Sequence, residues 1–220
     1  MASWIALRSS RIVCCALAVA ACVSLSSCGF FAGMTRKPVV AEYHGLANKS
    51  VAIVVFVAPS TIDEFPSARK DISGFLATQM RLKMPNVRLL DYNEVIQWQD
   101  DTINWFSKME KQIGQHFGVD RVLYIELLAY SSRLEAAYGD LQGHVRANCK
   151  IFEVDTSPDN YAPAWEALME VTWPKDRPLD PNRTNDAAVR KRTLELFARD
   201  VIDKLYDHKE FDKGINDRNE

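Results

Sequence analysis

Val51 to Val57 read VAIVVFV, a continuous apolar run of seven, largely β-branched, between the polar pair Lys49-Ser50 and the break at Pro59-Ser60. A run of this length without alternation is the pattern of a strand buried on both faces. Such a strand sits in the middle of a sheet and needs a covering layer on each side, so the rest of the chain has to supply those layers.

The following residues do so in a readable order. After Pro66-Ser67, the residues Ala68, Ile72, Phe75, Leu76 and Leu82 recur at helical spacing until Pro85-Asn86 halts them. Val87 to Leu90 then reads as a short strand, and the order strand, helix, strand implies a right-handed parallel crossover. Asp91 is placed to cap a short helix through Trp98. A further helix is expected from Ile103 to Phe117, with Gly118 at the left-handed C-cap and Trp98, Trp105, Phe106 and Ile113 on the apolar side. Val119 to Ser131 reads as a long strand, with Leu123, Ile125, Leu127 and Ala129 on one face and Tyr124, Glu126, Leu128 and Tyr130 on the other. Arg133 to Gln142 reads as a long loop or flared hairpin.

The clearest period of two comes next. Val145, Ala147, Cys149 and Ile151 alternate with Arg146, Asn148 and Lys150, and Trp165, Ala167, Met169, Val171 and Trp173 alternate with Glu166, Leu168, Glu170 and Thr172. Antiparallel pairing of these two strands would set Arg146 and Lys150 against Glu170 and Glu166. A Pro-rich loop from Pro174 to Asn185 leads into a last helix, capped by Asn185 or Asp186, whose buried stripe is Val189, Leu194, Phe197, Ala198, Val201, Ile202 and Leu205. The fold class expected is α/β in the α+β sense: a mixed sheet of about five strands, a parallel crossover followed by an antiparallel meander, helices packed on it and a C-terminal helix.

The start of the chain is built differently. Arg8 and Arg11 precede the apolar run Ile12 to Val23, which is too short for the roughly 20 residues a bilayer span needs, and small residues follow it. This is the layout of an export signal that a peptidase removes. Leu25-Ser26-Ser27-Cys28 resembles the lipobox of bacterial lipoproteins, in which an apolar residue and two small residues precede a cysteine. The resemblance implies that the Cys28 thiol accepts a diacylglyceryl group and becomes the first residue of the mature chain, held to the membrane by its acyl chains. Gly29 stands where an aspartate would mark inner-membrane retention, so the resemblance implies an outer-membrane lipoprotein facing the periplasm. The domain boundaries that follow are a cleaved leader 1–27, a lipid-anchored tether 28–50, a single domain 51–208 and a polar tail 209–220. Twenty extended tether residues would reach about 65 Å, and docking of Val39-Val40-Ala41 and Tyr43 on the domain is the alternative that would shorten that reach.

Composition narrows the function. The whole chain has 27 basic and 29 acidic residues; loss of Arg8 and Arg11 with the leader leaves 25 against 29, a net charge of about −4 with no basic footprint for nucleic acid. Of five cysteines, Cys14, Cys15, Cys22 and Cys28 belong to the leader or its end, leaving Cys149 alone in the domain as an expected buried thiol. The four histidines, His44, His116, His144 and His208, fall in no metal-ligand spacing. No GxSxG elbow, SxxK, Walker loop or GxGxxG occurs, and no cofactor or metal is expected. Trp98, Trp105, Trp165 and Trp173 are the candidate binding residues, since exposed aromatics anchor partners or glycans, while core packing is the competing use of the same side chains.

The phrase AEYHGLANKSVAIVVFVAPS, with the element order that follows it, is similar to the small α/β domain shared by the TolB amino-terminal region, CsgG-type secretion lipoproteins and lipoprotein activators of penicillin-binding proteins. That resemblance spans about residues 40–206, rests on topology and carries no site residue with it. It implies a non-catalytic binding or assembly module with another envelope component as partner. The alternatives are a secretion-channel subunit, for which only the segment around Arg133 to Gly143 could lengthen into a membrane hairpin, and a lipid-anchored hydrolase, which would need serine, histidine and carboxylate in one cleft.

Overall fold

The computed structural model describes residues 36–133, 140–155 and 161–211. In chain order the elements are β1 (Arg36–Val39), β2 (Ser50–Phe56), α1 (Pro59–Glu64), α2 (Ala68–Lys83), β3 (Arg88–Leu89), α3 (Tyr92–Asp101), a 3-10 turn (Trp105–Ser107), α4 (Glu110–Phe117), β4 (Arg121–Arg133), β5 (Leu141–Glu153), β6 (Trp165–Trp173), α5 (Asp186–Asp203) and β7 (His208–Phe211). Strands β1 and β7 pair in a two-stranded sheet of their own. Val40–His208 is one compact unit, built on a five-stranded sheet in the order β3-β2-β4-β5-β6. Strand β2 runs parallel to both β3 and β4, and β4, β5 and β6 are antiparallel. The mixed α+β sheet expected from the sequence is therefore the observed one.

The apolar run of β2 is explained by what lies on each side of it. Val51, Ile53 and Val55 enter a core with Ile72, Leu76 and Met80 of α2 and with Leu194, Phe197 and Val201 of α5. Ala52 and Val54 enter the opposite core with Val95 of α3, Trp105 and Ile113 of α4. Both faces are dry, so neither can alternate with polar residues. Helix α5 begins where Asn185 accepts the Ala188 N–H, and α3 begins where Asp91 accepts the Asn93 N–H, two caps the sequence announced. Gly118 closes α4 at φ 62°. Across β5 and β6, Arg146 lies opposite Glu170 and Lys150 opposite Glu166. Those exposed pairs contribute about 0–1 kcal/mol each.

Several expectations are corrected. Leu82 is 69% exposed, because Ile72, Leu76 and Met80 already form the inward row of α2 and position 82 lies on the far side of it. The helix expected over 103–117 is broken: Asn104 adopts φ 56°, the chain makes a 3-10 turn, and α4 starts only at Glu110. The alternation read for β4 fails after Leu127. Leu127 opposes Ala147, yet Ala129 opposes Arg146 and Tyr130 opposes Val145, so one extra residue is inserted. This bulge turns Tyr130 onto the Leu127 face, where its ring meets Phe65 edge-on at 4.7 Å. Of the two tether readings the shorter one fits, since the compact unit Val40–His208 already includes residues 40–50. Leu46 is 1% exposed in the core, and the Glu42 N–H donates to the Lys204 carbonyl at 2.8 Å. The tail expected from residue 209 instead opens in strand β7, whose four residues are too few to show a period and gain their pairing from β1. Most of the Arg133–Gln142 loop lies outside the described residues.

Candidate interaction surface

Two of the four tryptophans meet. Trp98 of α3 and Trp105 of the 3-10 turn stand 6.3 Å apart between ring centroids. Trp98 also packs against His116 and Phe117 of α4, and Trp105 meets Phe56 edge-on at 6.0 Å at the end of β2. The Arg69 guanidinium lies 6.0 Å over the Trp105 ring. Trp165 and Trp173 sit at opposite ends of β6, on the sheet face that carries α5; Trp165 is buried and its indole N–H donates to Glu42 at 3.0 Å. The four therefore form no common groove. Alternation along β6 sends its tryptophans to the α5 side, whereas α3 and the turn lie on the other.

What the tryptophans support on their own side is the segment 102–109. Ile103 is 90% exposed, Phe106 56% and Met109 43%, three large apolar side chains within seven residues. Phe106 rests on Phe56 and Trp105, at 6.0 and 6.2 Å, so the projection has a packed aromatic base. Sequence reasoning put Ile103 at the start of a helix and Phe106 in its buried stripe. The signal that could have separated them is the run Thr102-Ile103-Asn104, since asparagine is, after glycine, among the residue types that best tolerate φ near 60° and so can end helical register.

At the beginning of β2 the chain is held by charge. The Tyr43 hydroxyl donates to Glu153 at 2.8 Å and accepts from the Arg121 Nε at 3.0 Å; burial, with Glu153 next, pushes its pKa up to about 12. Arg121, 6% exposed, also bonds Asp155. Asp120 accepts both the amide and the hydroxyl of Ser50 at 2.8 Å, and these hold its carboxyl below the ordinary range. Asp155 is likewise lowered, chiefly by Lys49 at 2.9 Å and then by Arg121. Glu42 is lowered by Lys204 and then by Trp165. Asp207 is lowered by the Ala41 amide and then by His44. These contacts fasten residues 41–50 and are accounted for by that task.

Cys149 is fully buried on the core face of β5 as a free thiol, and burial alone pushes its pKa up to about 12. His44 faces Asp207 at 3.1 Å and His144 faces Glu170 at 3.0 Å. Among the described residues neither ring is hydrogen-bonded to a serine or cysteine. Leu25, Ser26, Ser27 and Cys28 lie outside the described residues, and no helix among the described residues is long and apolar enough to cross a membrane.

No family model matches the chain, and no curated protein does. Among solved structures, the PelC dodecamer from Paraburkholderia phytofirmans is similar at a TM-score of 0.44 and 12% identity, over 78% of this chain and 98% of that one. Lipoprotein GNA1162 from Neisseria meningitidis is similar at 0.42 and 14% identity, over 70% and 94%. A minor lipoprotein from Acinetobacter baumannii reaches 0.35 and 9%, over 73% and 98%.

Proposed function

We propose that this chain is a bacterial envelope lipoprotein, lipidated at Cys28 after removal of residues 1–27, whose α/β domain binds another envelope protein without catalysing a reaction. The outer membrane, with the domain in the periplasm, is the location that Gly29 favours. The observation that carries the binding role is the exposed Phe106 on its aromatic base, with the exposed Ile103 and Met109 three residues to either side of it in the chain. Exposed large apolar side chains grouped on a rigid support cost solubility and are characteristic of contact surfaces. The anchor would keep this surface at the membrane and raise its effective concentration for a membrane-bound partner. Crosslinking and recovery of the full chain from membranes tests the reading, with Ile103→Asp and Phe106→Asp as variants. Both side chains are more than half exposed, so the fold is expected to survive, as circular dichroism will show. A discrete envelope protein recovered with the wild type and lost with either variant is expected; equal recovery with all three contradicts the surface.

A further inference from the structure

Strand β6 ends the sheet. It has β5 on one side and, among the described residues, no strand on the other. Its register with β5 runs unbroken from Gly143 opposite Trp173 to Ile151 opposite Trp165. Exposed edges are normally blunted by shortness, proline, lysine or a bulge, because their free N–H and C=O groups template further pairing. The opposite edge, β3, follows that rule with two residues, whereas β6 has nine and no proline, lysine or bulge, its two charges, Glu166 and Glu170, lying on the exposed outer face. Its core-side row, Trp165, Ala167, Met169, Val171 and Trp173, is symmetric about Met169, large at both ends and small apolar between.

We propose that β6 is a two-fold interface at which two copies of this chain join their sheets, antiparallel and centred on Met169. In that register Trp165 lies opposite Trp173 of the partner subunit, Ala167 opposite the partner's Val171, and Met169 opposite the partner's Met169. The core-side row of β6 thus continues across the seam as an apolar row. On the outer face Glu166 meets the partner's Thr172, and Leu168, 51% exposed, meets the partner's Glu170. No like charges stand directly opposite. Glu170 stays within reach of His144 and Arg146 of its own sheet. The second layer fits as well. Helix α5 packs on β5 and β6 and reaches β4, so its partner copy would lie two to three strand spacings away, roughly 10–14 Å, far enough for the two helices not to collide. A two-fold closes on itself and consumes both edges, which favours a second copy over an open-ended series of strands.

The interface depends neither on the apolar projection nor on the lipid, so its test is separate from theirs. In the full-length chain in its membrane, Met169→Cys would face its own copy at about 4.5–5.5 Å between Cα atoms, inside disulfide range. Mild oxidation is expected to give a band of twice the chain mass, above the wild-type level, while Leu128→Cys, more exposed than position 169 but on β4, does not. Adding Leu168→Glu places like charges opposite each other twice and is expected to abolish the band; Leu168→Lys, similar in size and opposite in sign to Glu170, is expected to keep it. Sedimentation of the detergent-solubilised wild type, which needs no substitution, should read two copies. A monomer there, equal loss with Glu and Lys, or a crosslink to a chain of different mass overturns the proposal.

Discussion

At the scale of single residues, the carboxylates that hold residues 41–50 make the fold sensitive to acid in one place. Asp120, Asp155, Glu42 and Asp207 are all lowered in the folded chain from ordinary values of 3.8 for aspartate and 4.5 for glutamate. A carboxylate with a depressed folded pKa contributes its full stability above the ordinary value, and loses it as pH falls through the folded one. Residues 41–50 should therefore loosen before the sheet does when the protein is acidified below about pH 4. Hydrogen exchange checks this at three amides, Ala41 and Ser50, whose acceptors are Asp207 and Asp120, and Glu42, bonded to the Lys204 carbonyl. Their protection is expected to fall at about pH 3 while that of β4 holds, and unchanged protection would contradict the assignment. The apolar residues from Val39 to Tyr43 hinted at docking, but the carboxylates that secure it were not legible. Glycines and a proline made the stretch before Ser50 look like a linker, and partners 70 to 166 residues away leave no local period.

Elements were readable where their own sequence decided them. Strand β2 announced two dry faces, β5 and β6 announced one each, and α5 announced its cap and stripe. Helix α1 was not readable, because it is six residues long and none of them is buried. The bulge in β4 was not either. Leu127-Leu128-Ala129 continues an apolar pattern, and only pairing with β5 shows that Leu128 is the additional residue. The contact between β5 and α5 gives a sharper test of packing. A Cβ on Gly143 would run into Thr193, its Oγ1 first and its Cβ at 2.9 Å. Thr193 is fully buried and donates to the Val189 carbonyl at 2.8 Å, so it cannot swing away freely. Gly143→Ala should therefore destabilise by about 1–3 kcal/mol, read by denaturant midpoint at unchanged slope. No loss of stability would show that α5 sits farther from β5 than described.

For the whole molecule, the sheet, the projection and the edge divide the work. Buried β2 fixes the layers, α3 and the 3-10 turn on one side carry Trp98 and Trp105 with the projection beyond them, and β6 is left for a neighbour. The sequence reading found the tryptophans but not their division between the two faces, since chain order does not reveal which side of the sheet an element covers. The proposed anchor is the part that the leader alone supports. With the compact unit starting at Val40, residues 28–39 would span at most about 40 Å, shorter than the reach first expected. The most direct test of the account is the intact mass of the chain purified from membranes in detergent. The account predicts a chain that lacks residues 1–27 and carries acyl groups on an N-terminal Cys28, a form abolished by Cys28→Ser together with membrane retention. A chain that keeps its leader, or one with an unmodified Cys28 that still fractionates with membranes, would contradict it.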